Sequence, residues 1–108
     1  MTKKVLILPG DGIGQEVTKS SNEILNYLIS EHSLDFEVNT MDVGGTAYDL
    51  HGSPIPSSVL SSAKDSDAIL FGAVGGPKWD DLGWDDRPEQ ALLTLRKELG
   101  LFANLRPA

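Results

Sequence analysis

The chain has 108 residues, room for one domain, and its 40% hydrophobic and 23% charged residues are those of a globular protein rather than a disordered or fibrous one. Nine Lys and Arg against 16 Asp and Glu leave seven net negative charges, the wrong sign for a nucleic-acid or anionic-membrane partner. The absence of cysteine excludes disulfides, thiolate metal sites and a thiol nucleophile, and with no apolar run near the roughly 20 residues of a membrane span the expected location is the cytoplasm.

Val5 to Leu8 is a continuous apolar run stopped by Pro9 and Gly10, the pattern of a strand buried on both faces of a parallel sheet. The glycine-rich turn Gly10 to Gly14 leads into Ile13, Val17, Ile24, Leu25, Leu28 and Ile29, whose nearly helical spacing predicts a helix fading near His32. Phe36, Val38 and Thr40 alternate with Glu37, Asn39 and Met41, which predicts a second strand. Val43 to Pro56 carries Gly44, Gly45, Gly52, Pro54 and Pro56 and reads as connection. A short helix, with Pro56 in its first turn, is expected to bury Val59, Leu60 and Ala63, and Ala68 to Phe71 reads as a third buried strand. Gly72 to Pro88 has no periodicity, and aperiodic segments of that length are usually functional or disordered. Pro88 and Glu89 open a helix carrying Leu92, Leu93, Leu95, Arg96 and Leu99, stopped by Gly100, with Leu101 to Leu105 as the next strand. This alternation predicts an α/β domain with a largely parallel sheet flanked by helices. The bare apolar end at Leu101 to Ala108 carries the expectation that the chain is the front piece of a longer protein.

Ligands of open α/β sheets gather at the carboxyl ends of strands, where this sequence has two glycine-rich segments, Gly10 to Gly14 and Gly72 to Gly76. The first departs from the dinucleotide fingerprint at its third glycine, where Gln15 stands, and Asp42 comes too late for the ribose acid. A standard Rossmann site is disfavoured, leaving the N–H groups of Ile13, Gly14 and Gln15 to face an anion. Arg96 follows Leu92 by one helical turn, so it either holds an acid with an aliphatic branch or is an ordinary solvated helix residue. Arg106, before Pro107 at the end of an apolar run, is the better placed to face a cleft. Asp80, Asp81, Asp85 and Asp86 match no calcium loop and read as a solvated segment; His32 and His51 are isolated. Trp79 and Trp84 either stack on a ligand or plug the surface.

Four co-linear stretches resemble the β-decarboxylating dehydrogenases of the isocitrate/isopropylmalate family, most closely its isopropylmalate branch. They are Leu8-Pro9-Gly10-Asp11-Gly12-Ile13-Gly14-Gln15-Glu16-Val17, Val74-Gly75-Gly76-Pro77-Lys78-Trp79, Arg87-Pro88-Glu89 through Leu92-Leu93 to Leu95-Arg96-Lys97, and Leu101-Phe102-Ala103-Asn104-Leu105-Arg106-Pro107-Ala108. The resemblance implies NAD-dependent oxidation and decarboxylation of 3-isopropylmalate to 4-methyl-2-oxopentanoate and CO2 in leucine biosynthesis, on a fold that is not a standard Rossmann domain. It implies that Arg96 and Arg106 hold the substrate carboxylates and that Leu92 and Leu93 meet the isopropyl branch. Gly76, Pro77, Lys78, Trp79 and Glu89 are implied at the nicotinamide half of NAD, with Ile13 and Gly14 also beside the cofactor. The Mg2+ or Mn2+ ligands and the catalytic Tyr and Lys of the family match nothing here, so no catalytic or metal residue is assigned within this chain. Residues 1–100 are then the N-terminal part of the first α/β domain, and 101–108 the start of a strand crossing to a second, in an enzyme expected to be a homodimer at full length. The alternatives are an isocitrate- or tartrate-type dehydrogenase of the same family, or an inactive α/β binding fragment; the isolated chain is expected to be inactive.

Overall fold

Strand β1 (Lys3–Gly10) lies at the centre of a three-stranded sheet in the computed structural model, which describes residues 1–108. Strands β2 (Phe36–Thr40) and β3 (Ala68–Ala73) flank it, both parallel to it, in the order β2-β1-β3, with Val5 opposite Val38 on one side and Ala68 on the other. The parallel α/β expectation holds. Leu6, Ile7 and Leu8 are buried, because helices cover both faces of the central strand. The third strand, expected to be buried, is only partly so, since its outer edge has no neighbouring strand.

Leu6 and Leu8 face a core formed with Val43, Val59, Ala63, Ala91 and Leu95. Helix α3 (Ser57–Lys64) supplies Val59 and Ala63, and helix α4 (Gln90–Glu98) supplies Ala91 and Leu95. Burying Val59 and Leu95 contributes about 1.5–3 kcal/mol each, and the alanines let the helices approach, which makes the inner faces of these short helices their reason to form. Pro56 caps α3 rather than entering its first turn, and Leu60 is only partly buried. Helix α4 ends as its sequence requires: Gly100, at φ 62°, lets its own N–H reach the Lys97 carbonyl and the Leu101 N–H reach that of Arg96.

Helix α1 (Ile13–His32) covers the other face through Gly14 and Thr18, which are buried. A Cβ on Gly14 would sit 2.2 Å from the Pro9 carbonyl oxygen and 2.7 Å from the Ala73 nitrogen, so the helix approaches the strand ends more closely than any side chain allows. Replacing Gly14 by alanine should destabilise the fold by about 2–3 kcal/mol. A lower urea midpoint at unchanged denaturant slope is the measurement. The apolar stripe that marked this helix in the sequence is not buried against the sheet: Ile13, Val17, Ile24 and Leu28 are exposed, and Leu25 and Ile29 are only partly buried. Ile24, Leu25 and Leu28 line an open apolar groove of about 480 Å³ with the strand residues Val5, Phe36 and Leu70.

Two readings of the sequence are corrected. The segment taken as connection contains helix α2 (Gly45–His51), whose glycine start hides it and whose first turn is held by a side chain far away in sequence. Leu101 to Leu105, taken as a strand, has no secondary structure and is exposed, because no strand lies alongside to accept its hydrogen bonds. Within Gly72 to Pro88 the chain makes two single 3-10 turns, Pro77–Trp79 and Trp84–Asp86.

Candidate functional site

The order β2-β1-β3 reverses direction between β1 and β3, and the crevice beyond their carboxyl ends is where such sheets bind ligands. Here both glycine-rich segments meet. Gly10, at φ 79°, comes so close to β3 that a Cβ would overlap the Ala73 carbonyl, and the Asp11 N–H donates to that carbonyl at 2.7 Å. The crevice is then filled from within: Asp11 is 2% exposed, and its carboxylate accepts the backbone N–H groups of Gly45 (2.7 Å), Thr46 (2.7 Å) and Gly75 (3.0 Å) and the Thr46 hydroxyl (2.7 Å). The start of α2, where an external anion would be held, is already occupied by this built-in carboxylate. The expectation that free N–H groups on Gly14 and Gln15 face an anion also fails, because they donate to the carbonyls of Asp11 and Gly12. Ile13 is exposed at the rim, and the Gln15 amide closes the turn onto the Gly10 carbonyl at 2.6 Å.

Gly76, Pro77, Lys78 and Trp79 leave β3 and fold back over α2. The Trp79 ring lies against Gly45, where a Cβ would come within 2.1 Å of it, and its Nε1–H donates to Asp49 Oδ1 at 3.1 Å. Lys78 pairs with Asp49 Oδ2 at 2.7 Å and passes 5.6 Å above the indole. The Lys78 ammonium, and after it the Trp79 N–H, hold the Asp49 carboxyl below the usual carboxylate range. A carboxyl depressed in the folded state stabilises the fold above its unfolded value and loses that effect as pH falls through the folded value. Of the two tryptophans, Trp79 is the plug and Trp84 is 63% exposed. Asp80, Asp81, Asp85 and Asp86 are exposed, and nowhere do three His, Asp or Glu side chains gather in a metal-holding arrangement.

The open part of the crevice lies on the other side of β3. Phe71, Gly72, Ala73, Val74, Glu89, Leu92 and Leu93 line a groove of about 320 Å³, so three residues named from the sequence share one surface. The Glu89 carboxylate stands over Gly75, whose missing side chain leaves it room. One turn further along α4, Arg96 borders a smaller hollow of about 160 Å³ with Leu101 to Leu105, and it makes no ion pair within the chain. Arg106 is not brought to either hollow; it stands in the exposed segment 101–108. Sequence reasoning missed Asp11, Thr46 and Asp49, and also Arg87, which braces the loop by donating to the carbonyls of Asp80 (2.7 Å) and Leu82 (3.2 Å). An acid inside a glycine turn straight after a buried strand was the available signal for Asp11.

A family model described as isocitrate/isopropylmalate dehydrogenase matches residues 4–108. The chain belongs to the isocitrate/isopropylmalate dehydrogenase family. Among its relatives, the 3-isopropylmalate dehydrogenase of Paramagnetospirillum magneticum is 54% identical over 106 residues, covering 98% of this chain and 29% of that protein. That of Staphylococcus saprophyticus is 54% identical over 107 residues, covering 99% and 30%. The chain thus spans under a third of the length of the relatives it matches. A β-decarboxylating dehydrogenase from Thermococcus kodakarensis, solved in its apo form, superposes with a TM-score of 0.70 at 34% identity over 93% of this chain and 27% of that one. An isocitrate dehydrogenase from Methylococcus capsulatus gives 0.73 at 25% identity over 94% and 27%. The fold described above is therefore that of the isocitrate/isopropylmalate dehydrogenase family.

Proposed function

We propose that this chain is the amino-terminal part of a cytoplasmic, homodimeric, NAD-dependent 3-isopropylmalate dehydrogenase of leucine biosynthesis. The observation that carries the reading is the pairing of an apolar groove at Leu92 and Leu93 with an unpaired guanidinium one turn away at Arg96. A hydroxy acid with an aliphatic branch presents those two chemistries at that separation. Relatives at 54% identity bearing the 3-isopropylmalate dehydrogenase name support it.

In this reading Arg96, joined by Arg106 once segment 101–108 is paired within the full-length enzyme, fixes the substrate carboxylates so that the substrate C–H faces the hydride acceptor. Leu92 and Leu93 exclude water around the isopropyl group. The exposed Glu89 carboxylate, which makes no hydrogen bond within the chain, suits the hydroxyls of the nicotinamide ribose, with Gly76, Pro77, Lys78 and Trp79 as the wall beside it, Ile13 exposed at the rim and Gly14 buried beneath. NAD, when bound, supplies hydride acceptance. The acids of this chain do not make a site for Mg2+ or Mn2+, so no step is assigned to a cation here and its ligands are placed in the rest of the enzyme.

Steady-state kinetics of the full-length enzyme test the substrate: kcat/KM for 3-isopropylmalate should exceed that for isocitrate by at least about 100-fold. The reverse order would move the protein to the isocitrate branch. The 108-residue chain alone should not reduce NAD, and measurable turnover by it would refute the division of labour proposed here.

A further inference from the structure

Helix α2 touches neither groove, yet it is tied to the loop after β3 at two places. Inside, one oxygen of Asp11, Oδ2, accepts the N–H of Gly45 at the head of α2 and that of Gly75 at the root of the loop. Outside, both oxygens of Asp49 in the next turn of α2 are engaged by consecutive loop residues, Oδ2 by the Lys78 ammonium at 2.7 Å and Oδ1 by the Trp79 indole N–H at 3.1 Å. Between the two ties the Trp79 ring is wedged between Gly45, which has room for it only because it lacks a side chain, and Gly76, where an added Cβ would come within 3.2 Å of it. The loop backbone thus has an inner tether that is buried and an outer one at the surface, between an Asp49 side chain 36% exposed and a Lys78 side chain 70% exposed.

We propose that Asp49 is a positioning residue that holds the loop Gly76 to Trp79 in its cofactor-competent shape, so that it sets affinity for NAD without touching it. The proposal rests on the reading of that loop as the nicotinamide wall. A two-pronged carboxylate fixes both the direction of the indole and the path of the backbone, which an apolar contact alone does not do. With the outer tether cut, the inner one keeps the loop attached and the fold intact, while ordering of Pro77 to Trp79 must accompany cofactor binding.

The test uses the full-length enzyme with NAD as the varied substrate. Asp49→Ala should raise KM for NAD by about five- to tenfold, with kcat and the KM for 3-isopropylmalate within about twofold and the thermal midpoint within about 2 °C. Asp49→Asn, which keeps an oxygen for the indole N–H and loses the ion pair, should fall between Asp49→Ala and the parent. Trp79→Phe should raise KM for NAD in the parent but add little in the Asp49→Ala background, since both changes cut the same tether. An unchanged KM for NAD in Asp49→Ala, or a loss of stability with no change in KM, overturns the proposal while leaving the cofactor reading in place. If the parent enzyme shows no saturation by NAD, both are overturned.

Discussion

Exchanging Arg96 for lysine in the full-length enzyme should lower kcat/KM for 3-isopropylmalate by about 100- to 1000-fold, the equivalent of roughly 3–4 kcal/mol of transition-state stabilisation. The size follows from geometry: a guanidinium offers two parallel N–H donors to a carboxylate, and an ammonium of the same charge cannot reproduce that fork. The same substitution should leave the thermal midpoint within about 2 °C, because Arg96 makes no ion pair or side-chain hydrogen bond within this chain and its hollow is bounded by the irregular segment after α4. Kinetics and differential scanning fluorimetry on the same preparations separate the two roles. A fall in stability with kinetics unchanged would make Arg96 an ordinary helix residue and remove the carboxylate anchor from the proposed site.

The largest stability effect belongs to Asp11. Its replacement by alanine would leave the N–H groups of Gly45, Thr46 and Gly75 buried around a vacancy at the junction of β1, α2 and β3. The expected cost is about 3–5 kcal/mol, a large share of the 5–15 kcal/mol that holds a typical domain together. Asparagine keeps one acceptor but turns an NH2 toward N–H donors, so it should recover only part of the loss. Urea unfolding and soluble yield of the full-length enzyme measure both variants. If Asp11→Ala unfolds within about 1 kcal/mol of the parent, the carboxylate is not the junction's anchor.

Local pattern was sufficient for the three strands that form and for three of the four helices, because each carries its own signal: Val5 to Leu8 in an unbroken run, Phe36 to Thr40 in alternation, Leu92, Leu95 and Leu99 at helical spacing. The same apolar signal at Leu101 to Leu105 pointed to a strand that does not form. Helix α2 was illegible because what fixes its start is tertiary; a glycine pair reads as a turn until an acid from thirty-four residues earlier binds its first turn. The stripe on α1 misled in the opposite sense, since the residues that pack are the small ones between the large ones. At the site, Glu89, Leu92 and Leu93 were named through the family resemblance, and they line one groove because one helix start presents them together. Arg106 was not brought beside them, since adjacency in the motif does not position a residue that no strand holds.

The bridge from Asp11 to Gly75 spans sixty-four residues, and β1 pairs with β3 over a comparable separation. At about 5–20 residues per second of synthesis, roughly 3 to 13 seconds pass between the appearance of Asp11 and that of its last partner. During that interval Leu6, Ile7 and Leu8 form an apolar segment whose β3 edge is unpaired and whose neighbouring carboxylate lacks its full set of donors. The β1–β3 pairing therefore forms only after β3 has been synthesised, and the closed Asp11 junction only after the start of the loop that follows it.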